Sequence, residues 1–479
     1  MFEPSKSHIN KNLLFPSERE RLLDKFKDLI ETDYKLDRML VSFQANKKEP
    51  VYRWFKYKEG FSKKLIEYFI DKYHPTKGHI LDPFAGSGAT LFAAREKGWD
   101  TTGIELLPIG SYIIKARLAS EKFNFEEFQK EVNKFWKLLE ETTKFDNRIN
   151  HISITRNAFP DYNEEKLNCY LTACDKIKNK YAKVLIEFAA FSVLEDISFT
   201  RKDGQYLRWD YRANRSYGSI DFNKGEIYDF DKAVRDKLRE MVSDIAPDSN
   251  LELFKSEKPH LHLSDPNLLQ GSSLELLPTL ESNTFDFVLT SPPYCNRYDY
   301  TRTYALELIF LNKNDDDIKD LRQTMLSCTV ENKDKHDYLK FFYSNLNRLT
   351  DFNFIDSLYF SHPAMNEINN MLSRLKDSDN LNNSNIPRMV KHYFYEMLFI
   401  IYELYRLLKK GGTVVMVNDN VRYGGEEIPV DLVLSDFAEN VGFKIKKIWT
   451  LPVGKGNSSQ QMGEHGRSEL RKCVYIWEK

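Results

Sequence analysis

The sequence predicts an α/β fold built on a doubly wound, mostly parallel sheet, and two observations indicate it. First, "HILDPFAGSGATLFAAREKGWDTTGIE" reads as a strand at His79–Asp82, a glycine-rich turn, a helix at Ala89–Glu96 and a strand at Thr101–Glu105. A strand–helix–strand unit places two parallel strands in one sheet. Second, an alternation of apolar strands and amphipathic helices resumes near residue 266 and continues to the last residues of the sequence.

The later elements are predicted from short apolar runs and from helical periodicity. They are strands in "NLLQGSS" and "FDFVLT", short and long helices in "LELLPTL" and "YFYEMLFIIYELYRLLKKGG", a strand in "TVVMVND", a helix in "VDLVLSDFAENVGF", and strands in "KIKKIWTL" and "CVYIWEK". Gly411 and Gly412 are expected to end the long helix, because glycine adopts the backbone conformation common just past helix C-termini.

One α/β core carrying two largely helical insertions is the domain organisation that these patterns predict. The segments are an N-terminal helical extension (1–50), the core (51–120, 266–310 and 395–479), a first insertion (121–265) and a second insertion (311–394). The second insertion contains two polar tracts, "NKNDDDIKD" and "DSDNLNNSN", which are typical of loops.

The bulk composition excludes several classes of protein. With 479 residues and a net charge of -1, the chain offers a polyanion only a local basic patch, not a general attraction. The five cysteines are scattered without a CxxC pair, which favours a reduced protein with no structural zinc. The first residues lack a signal peptide and no apolar run is long enough to span a membrane, so we expect a cytoplasmic protein.

The turn "DPFAGSG" has the features of a cofactor-binding loop. Gly86 and Gly88 allow a close backbone approach and positive φ angles, and a helix begins behind them. Glu105 ends the next strand, where a carboxylate grips a ribose diol, and Asp82 suits a cationic group such as an amino-acid ammonium. The turn is neither GxGxxG nor a Walker A loop. It favours an adenosine-containing cofactor; the alternative is a tight strand–helix turn with a surface acid.

The segment "TSPPY" ends the predicted strand at residues 285–290 in an unusual way. Pro292 and Pro293 cannot continue a central strand, but they hold neighbouring carbonyl groups in fixed directions. The Ser291 hydroxyl and a nearby carbonyl, expected to be that of Pro292, can accept hydrogen bonds from a ring-bound amine, and Tyr294 can stack on the ring. Such acceptance makes the amine nitrogen nucleophilic toward a methyl group held in line. The alternative is a proline-terminated strand that enters a loop.

These two motifs, "LDPFAGSGATLFAA" and "TSPPY", resemble those of the amino-methylating DNA methyltransferases, which use S-adenosylmethionine. The resemblance implies a Rossmann-like class I methyltransferase core, a target base flipped out of double-stranded DNA, no metal, and a place in a restriction–modification system with a separate endonuclease. It also implies catalytic roles for Ser291, Pro292, Pro293 and Tyr294. The cofactor-binding positions that it implies are Phe61, Ser62, Asp82, Phe84, Gly86, Gly88, Glu105, Ser272 (or Ser273) and Thr290.

The serine of the tetrapeptide resembles the branch that methylates N4 of cytosine, since the N6-adenine branch usually carries Asp or Asn there. The order of motifs, with the glycine turn before the tetrapeptide, is more similar to that of adenine enzymes. We therefore expect an N4-cytosine DNA methyltransferase, with N6-adenine methylation on the same scaffold or methylation of an RNA base amine as alternatives.

The densest mixture of basic and aromatic residues lies in "ISFTRKDGQYLRWDYRANRSY", which has five basic residues, two acids and five aromatics. Such a mixture suits contacts with phosphates and bases, although a solvated hairpin has the same composition. The first insertion is therefore the candidate DNA-binding region, with the second insertion as the alternative. The residues expected to contact DNA are Arg201, Lys202, Arg208, Arg212 and Arg215, and Asn296, Arg297 and Arg302 just after the tetrapeptide.

Overall fold

A central sheet organises the chain. The structure, a computed structural model, describes residues 16–37, 39–74, 76–203, 206–213, 215, 222–245, 264–452 and 470–479. The strands are β1 (Ile30–Thr32), β2 (His79–Asp82), β3 (Asp100–Glu105), β4 (Thr200–Asp203), β5 (Tyr206–Trp209), β6 (Asn267–Gln270), β7 (Phe285–Thr290), β8 (Leu408–Asp419), β9 (Val421–Tyr423), β10 (Glu426–Ile428), β11 (Lys444–Thr450) and β12 (Lys472–Glu478).

Helices surround this sheet and form most of the two insertions. They are α1 (Glu18–Phe26), α2 (Lys63–Tyr73), α3 (Ala89–Glu96), α4 (Pro108–Ser120), α5 (Phe125–Glu140), α6 (Asp161–Cys174), α7 (Lys180–Ser192), α8 (Phe230–Ile245), α9 (Ser273–Leu276), α10 (Tyr300–Thr303), α11 (Ala305–Phe310), α12 (Asp315–Thr324), α13 (His336–Asn345), α14 (Leu349–Ser361), α15 (Pro363–Asp377), α16 (Ile386–Leu407) and α17 (Val430–Val441).

The main sheet has the strand order β1-β11-β12-β8-β7-β2-β3-β6 in the part of the chain that the structure describes. Strand β12 runs antiparallel to both of its neighbours, whereas the other neighbouring pairs are parallel. The predicted fold class, a mostly parallel α/β sheet with largely helical insertions, is therefore confirmed. Two short hairpins, β4–β5 and β9–β10, lie outside the main sheet.

Side chains of the central strands alternate between two apolar cores, one on each face of the sheet. Leu81 and Val288 belong to the core that contains α16 and α17, and Ile80 and Phe287 belong to the core that contains α2 and α3. All four are fully buried, and each such burial contributes about 1.5–3 kcal/mol to folding. This two-sided burial explains why both strands read as continuous apolar runs.

Local sequence signals predicted the central elements well. The predicted bounds of β2, α3 and β7 are those observed, and β3 begins one position earlier than predicted. The glycine turn and the prolines bound these elements in sequence, so their ends follow from backbone chemistry.

Three expectations were wrong, and each error has a physical reason. Helix α16 ends at Leu407, and Gly411 and Gly412 instead lie within β8, where the register against β7 shifts. The tract "NKNDDDIKD" is not a loop, because Asn314 caps α12 and the acids fill its first turn, where negative charge is favourable. The N-terminal segment is not only helical, since β1 forms the edge of the main sheet beside β11.

Gly103 in β3 tests the packing of the sheet against α3. A Cβ atom at this position would lie 2.7 Å from a methyl of Leu91 and 2.9 Å from Cβ of Ala85. We expect Gly103→Ala to lower the free energy of unfolding by about 1–3 kcal/mol, because the core must shift to admit the methyl group. Urea denaturation measures this change, and an unchanged unfolding midpoint would contradict the described packing.

Candidate active site

The carboxyl ends of β2, β3, β6 and β7 meet at one edge of the sheet, where parallel α/β folds bind ligands. A buried hydrogen bond joins two of these ends: the Thr290 hydroxyl donates to Asp82 Oδ1 over 2.8 Å, although the residues are 208 positions apart. The glycine-rich turn and the tetrapeptide therefore lie side by side.

A pocket of about 840 Å³ opens at this edge of the sheet. Six residues predicted to bind a cofactor line it: Phe61, Asp82, Phe84, Gly86, Glu105 and Ser272. Ser291 and Pro293 of the tetrapeptide line the same pocket. The structure thus brings together two motifs that the sequence separates by a long insertion.

The two glycines of the turn have different positions. Gly86 lines the pocket with φ 53°, and a Cβ there would lie 3.1 Å from the ring of Tyr57. Gly88 precedes α3 with φ 76°, and a Cβ there would lie 2.6 Å from Ile114. Gly88 therefore allows α3 and α4 to pack closely, and it is not part of the pocket wall.

Glu105 is held by main-chain donors at the end of β3. The amides of Gly86 and Leu107 donate to its two carboxylate oxygens over 2.6 Å and 2.7 Å. Burial raises the pKa of Glu105 to about 8, despite these hydrogen bonds. Gly110, in the first turn of α4, permits this approach, since a Cβ would lie 2.7 Å from Glu105 Cγ. Gly110 was not predicted as a site residue, although its position shortly after the strand that ends at Glu105 could have indicated this role.

Asp82 lies deeper, below the glycine-rich turn. Its Oδ1 accepts hydrogen bonds from the Thr290 hydroxyl and from the Phe84 amide. Burial raises the pKa of Asp82 to about 6, and the hydrogen bonds only partly offset this effect. Thr290 itself is buried and does not line the pocket, so it acts on the site through Asp82.

Ser62, which was predicted to bind the cofactor, serves as a helix cap in the structure. Ser62 is fully buried as the N-cap of α2, where its hydroxyl accepts from the Leu65 amide and donates to the Leu40 carbonyl. It holds Phe61 at the pocket wall but does not reach the pocket itself. Ser272 and Ser273 both line the pocket, and the Ser273 hydroxyl donates to the Pro83 carbonyl of the glycine-rich turn.

The tetrapeptide presents a hydroxyl and a proline to the pocket. The Ser291 hydroxyl donates to the Tyr294 hydroxyl over 3.3 Å, which leaves the Ser291 lone pairs available as acceptors. Pro292 is buried beneath the pocket wall, and Tyr294 is half-buried behind Ser291, with its pKa raised by burial. Of the four residues, Ser291 and Pro293 border the pocket.

Several wall residues lie outside the set that was predicted to bind the cofactor or to act in catalysis. Tyr57, Glu59, Tyr300 and Met325 border the pocket from segments that flank α2, α10 and α12. Tyr57 stacks on Tyr304, with ring centroids 5.4 Å apart and planes 11° apart. The aromatic clusters around "WFKYKEGF" and "YDYTRTY" were the available signal, but their meeting depends on the tertiary fold.

Three of the predicted DNA-contacting residues of the first insertion, Arg201, Lys202 and Arg208, lie on a hairpin, β4–β5, that packs against α10 beside the pocket, and Arg212 and Arg215 follow it in the chain. Arg201 and Arg208 lie opposite each other across the hairpin. Arg201 is exposed and has no ionic partner within the described ranges, while Arg208 is partly exposed, pairs with Asp203 and stacks on Phe222.

Lys202, also predicted to contact DNA, differs from Arg201 and Arg208, because its side chain points away from solvent. It is buried, its ammonium pairs with the carboxylate of Glu307, and it lies over the ring of Tyr304 at 4.8 Å. Successive side chains of a β-strand point to opposite faces, so Lys202 lies on the inner face of the hairpin and anchors it, while its neighbour Arg201 lies on the exposed face.

The other basic residues that were predicted to contact DNA form different contacts within the protein. Arg212 pairs with the buried Asp210 at 2.6 Å, and Arg215 stacks on Trp209 while donating to the Ser153 carbonyl over 3.1 Å. Arg302 remains half-exposed beside Asp299 and Glu331. These contacts orient the side chains without burying them.

Asn296 and Arg297 shape the chain directly after the tetrapeptide. The Asn296 side chain accepts from the Tyr298 amide, and its own amide donates to the Tyr294 carbonyl. Arg297 has φ 66° and donates to the side chain of Asn382 over 2.8 Å, so it links the tetrapeptide loop to the second insertion.

Two structural features are absent from the described ranges. No helix there is long and apolar enough to cross a membrane. The same ranges contain no group of three or more His, Cys, Asp or Glu side chains placed to hold a metal ion.

The sheet order, its antiparallel β12 and the pocket at the carboxyl ends of the parallel strands define the class I methyltransferase fold. A family model described as a DNA methylase matches residues 17–115, which contain the glycine-rich turn and Glu105. This match covers the N-terminal part of the core, before the first insertion.

Curated relatives match nearly the whole chain. The Type II methyltransferases M.AvaI of Nostoc sp. and of Anabaena variabilis are each 46% identical over 462 residues, which cover 96% of this chain and 92% of the relative. The Type II methyltransferase M.BsoBI of Geobacillus stearothermophilus is 41% identical over 477 residues, with the same two coverages. The chain therefore belongs to the Type II DNA methyltransferases, within the amino-methyltransferase family.

Membership of this family implies S-adenosylmethionine as the methyl donor, and the pocket fits such a molecule. Gly86 lines the pocket without a side chain, and Glu105 presents a carboxylate at the pocket wall. Acidic Asp82 and the ring of Phe61 border the same space, which suits a cationic, partly apolar methionine end.

Glu105 gives a testable pH dependence of cofactor affinity. Ribose hydroxyls donate hydrogen bonds, and an ionised carboxylate accepts them best, so binding should favour ionised Glu105 and lower its pKa. Since the pKa in the free protein is about 8, affinity for S-adenosylhomocysteine should rise by up to about tenfold per pH unit below pH 8 and level off above it.

Calorimetric titrations between about pH 6 and pH 9 measure this dependence, with Glu105→Gln and Asp82→Asn as a matched pair. Glu105→Gln should remove the rise that ends near pH 8. Asp82→Asn should retain it, because the pKa of Asp82 lies lower, at about 6. The same slope in wild type and Glu105→Gln would show that Glu105 does not contact the ligand.

Proposed function

We propose that this chain transfers the methyl group of S-adenosylmethionine to the exocyclic N4 amine of cytosine in double-stranded DNA, as the methyltransferase of a restriction–modification system with a separate endonuclease. The observation that carries the proposal is the presence of Ser291 in the same pocket as Glu105 and Gly86. A hydrogen-bond acceptor for an amine then lies in the space that fits the methyl donor.

The residues around Ser291 suit the activation of an amine. The Ser291 hydrogen points to Tyr294, so its lone pairs can accept one amine hydrogen, and the fixed carbonyl of Pro292 is the proposed second acceptor. These two acceptors draw the nitrogen lone pair out of conjugation with the ring. S-adenosylmethionine, when bound, would supply the electrophilic methyl group. Positioning of the two groups then supplies most of the rate.

The target amine lies inside the stacked duplex, so the proposed reaction requires the base to be flipped into the pocket. The half-buried rings of Tyr294 and Tyr300 are flat surfaces for such a base. Hairpin β4–β5 lies beside the same pocket through its contact with α10, and Lys58 binds the Lys202 carbonyl. Arg201 and Arg208 would thus meet the phosphates next to the flipped base.

Methylation of N6 of adenine is the second candidate, and the order of motifs favours it. The glycine-rich turn precedes the tetrapeptide here, as in the adenine enzymes that this chain resembles. An adenine amine also offers two donors to Ser291 and Pro292. The serine at the first position of the tetrapeptide is the reason that we place cytosine first.

Mapping of modified bases tests the proposed function directly. DNA from a host that expresses the chain should contain N4-methylcytosine at one sequence context when it is read by single-molecule sequencing. Ser291→Ala should lower methylation by about 100-fold or more, because one amine acceptor is lost. It should bind S-adenosylhomocysteine as the wild type does, since Ser291 does not contact the ribose-binding carboxylate. N6-methyladenine alone would replace the first candidate by the second, and full activity of the variant would refute the role of Ser291.

The salt dependence of DNA binding tests the hairpin. The double variant Arg201→Gln, Arg208→Gln should reduce the slope of log affinity against log salt concentration by about 2, because two phosphate contacts are lost. Arg212→Gln is the matched control, with a smaller expected change, since Arg212 is already paired with Asp210. Fluorescence anisotropy with a duplex containing the mapped site measures the slopes. An unchanged slope in the double variant would move the DNA contact to another surface.

A further inference from the structure

Three carboxylates line the pocket in the described part of the chain: Glu59, Asp82 and Glu105. Both oxygens of Glu105 already accept main-chain hydrogen bonds, from Gly86 and Leu107. Asp82 is tied to Thr290 and to the glycine-rich turn. Glu59 differs from both, and neither the cofactor loop nor the tetrapeptide accounts for it.

Glu59 is held by one oxygen and leaves the other free. Its Oε2 accepts from the Tyr304 hydroxyl over 2.5 Å, and Tyr304 is fixed by its stack on Tyr57. Its Oε1 is buried and makes no well-aligned hydrogen bond among the residues that the structure describes, although the Tyr298 hydroxyl lies close to this carboxylate. Buried polar atoms in native proteins almost always have a partner. An unpaired carboxylate oxygen at a pocket wall therefore points to a ligand group that donates a proton.

The hydroxyl of Tyr298 lies in the same small region. Burial and the neighbouring Glu59 carboxylate raise the pKa of Tyr298, whose hydroxyl lies within reach of that carboxylate but makes no well-aligned hydrogen bond within the described ranges. Tyr298 and Tyr300 come shortly after the tetrapeptide, and Tyr300 lines the pocket. Glu59 therefore faces the part of the pocket that the catalytic segment forms.

Methylation of an amine leaves a proton that must be taken up. The nitrogen lone pair forms a bond to the methyl carbon while the carbon–sulfur bond breaks, and its electron pair stays on sulfur. The nitrogen then carries a positive charge and two hydrogens, one of which must leave to give the neutral methylated base. The Ser291 hydroxyl and a main-chain carbonyl cannot retain that proton, whereas a carboxylate can.

We propose that Glu59 Oε1 takes this proton from the target nitrogen, directly or through one water molecule. The carboxylate becomes a carboxylic acid and then returns the proton to solvent. Its negative charge also stabilises the positive charge that develops on the nitrogen as the methyl group is transferred. The inference rests on the proposed methylation of a base amine, and it holds for the N4 amine of cytosine and for the N6 amine of adenine.

The first test compares two variants that alter different parts of this carboxylate. Glu59→Gln keeps an oxygen for the Tyr304 hydroxyl but replaces the other oxygen by an amide that cannot take a proton. Tyr304→Phe removes the hydrogen bond to Oε2 but keeps the carboxylate. Single-turnover methylation of the mapped site, at saturating cofactor and DNA, should fall by about 100-fold in Glu59→Gln and by at most about fivefold in Tyr304→Phe.

The second test is chemical rescue, which a purely structural role does not explain. Glu59→Ala should be as slow as Glu59→Gln, and added formate should restore its rate by about tenfold or more, because formate can occupy the space of the missing carboxylate. Formate should leave Glu59→Gln unchanged, since the amide still fills that space.

Three results would overturn the inference. The first is a Glu59→Gln rate within about threefold of the wild type. The second is equal losses in Glu59→Gln and Tyr304→Phe with no rescue by formate. The third is a lower methylation rate in Tyr294→Phe but not in Glu59→Gln, which would indicate that the proton leaves through Ser291 and Tyr294. Each is measured on a chain already shown to methylate DNA, so a failure of Glu59 is distinct from a failure of the proposed function.

Discussion

The hydrogen bond from Thr290 to Asp82 is the contact on which the arrangement of the site depends. It joins the tips of β7 and β2, which are adjacent and parallel in the sheet. Because parallel strands end at the same edge, the two loops that follow them must share one space. The cofactor turn and the tetrapeptide are therefore neighbours whatever the length of the chain between them, and the first insertion can be accommodated without disturbing either loop.

Burial at this edge explains the electrostatic character of the site. Asp82 and Glu105 have little contact with water, which raises the pKa of each. Main-chain amides and the Thr290 hydroxyl hold them in position before any ligand arrives, so their orientation needs no rearrangement on binding. The insertions help to enclose the pocket: Met325 of the second insertion lines it together with Tyr300 of the core, and Lys202 of the first insertion pairs with Glu307 of the core and anchors the hairpin beside it.

The sequence predicted what local chemistry determines. The glycine turn, the strand that ends at Glu105 and the proline-terminated strand follow from backbone constraints that are visible in short stretches. Burial of a polar residue depends instead on the tertiary fold. Ser62 therefore caps a helix, whereas the sequence suggested a cofactor contact. Lys202 forms a buried ion pair, whereas the sequence suggested a DNA contact. Glu59 was not among the predicted site residues, and its orientation depends on Tyr304, far away in the chain.

The central claim is that one pocket holds the methyl donor and the target amine together. A crystal structure of the chain with S-adenosylhomocysteine and a duplex containing the mapped site tests it most directly. The account predicts the ribose on Glu105, and a flipped base whose exocyclic nitrogen lies about 3 Å from Ser291 Oγ and faces the sulfur atom. A ribose bound away from Glu105, or a flipped base with its amine remote from Ser291, would contradict it.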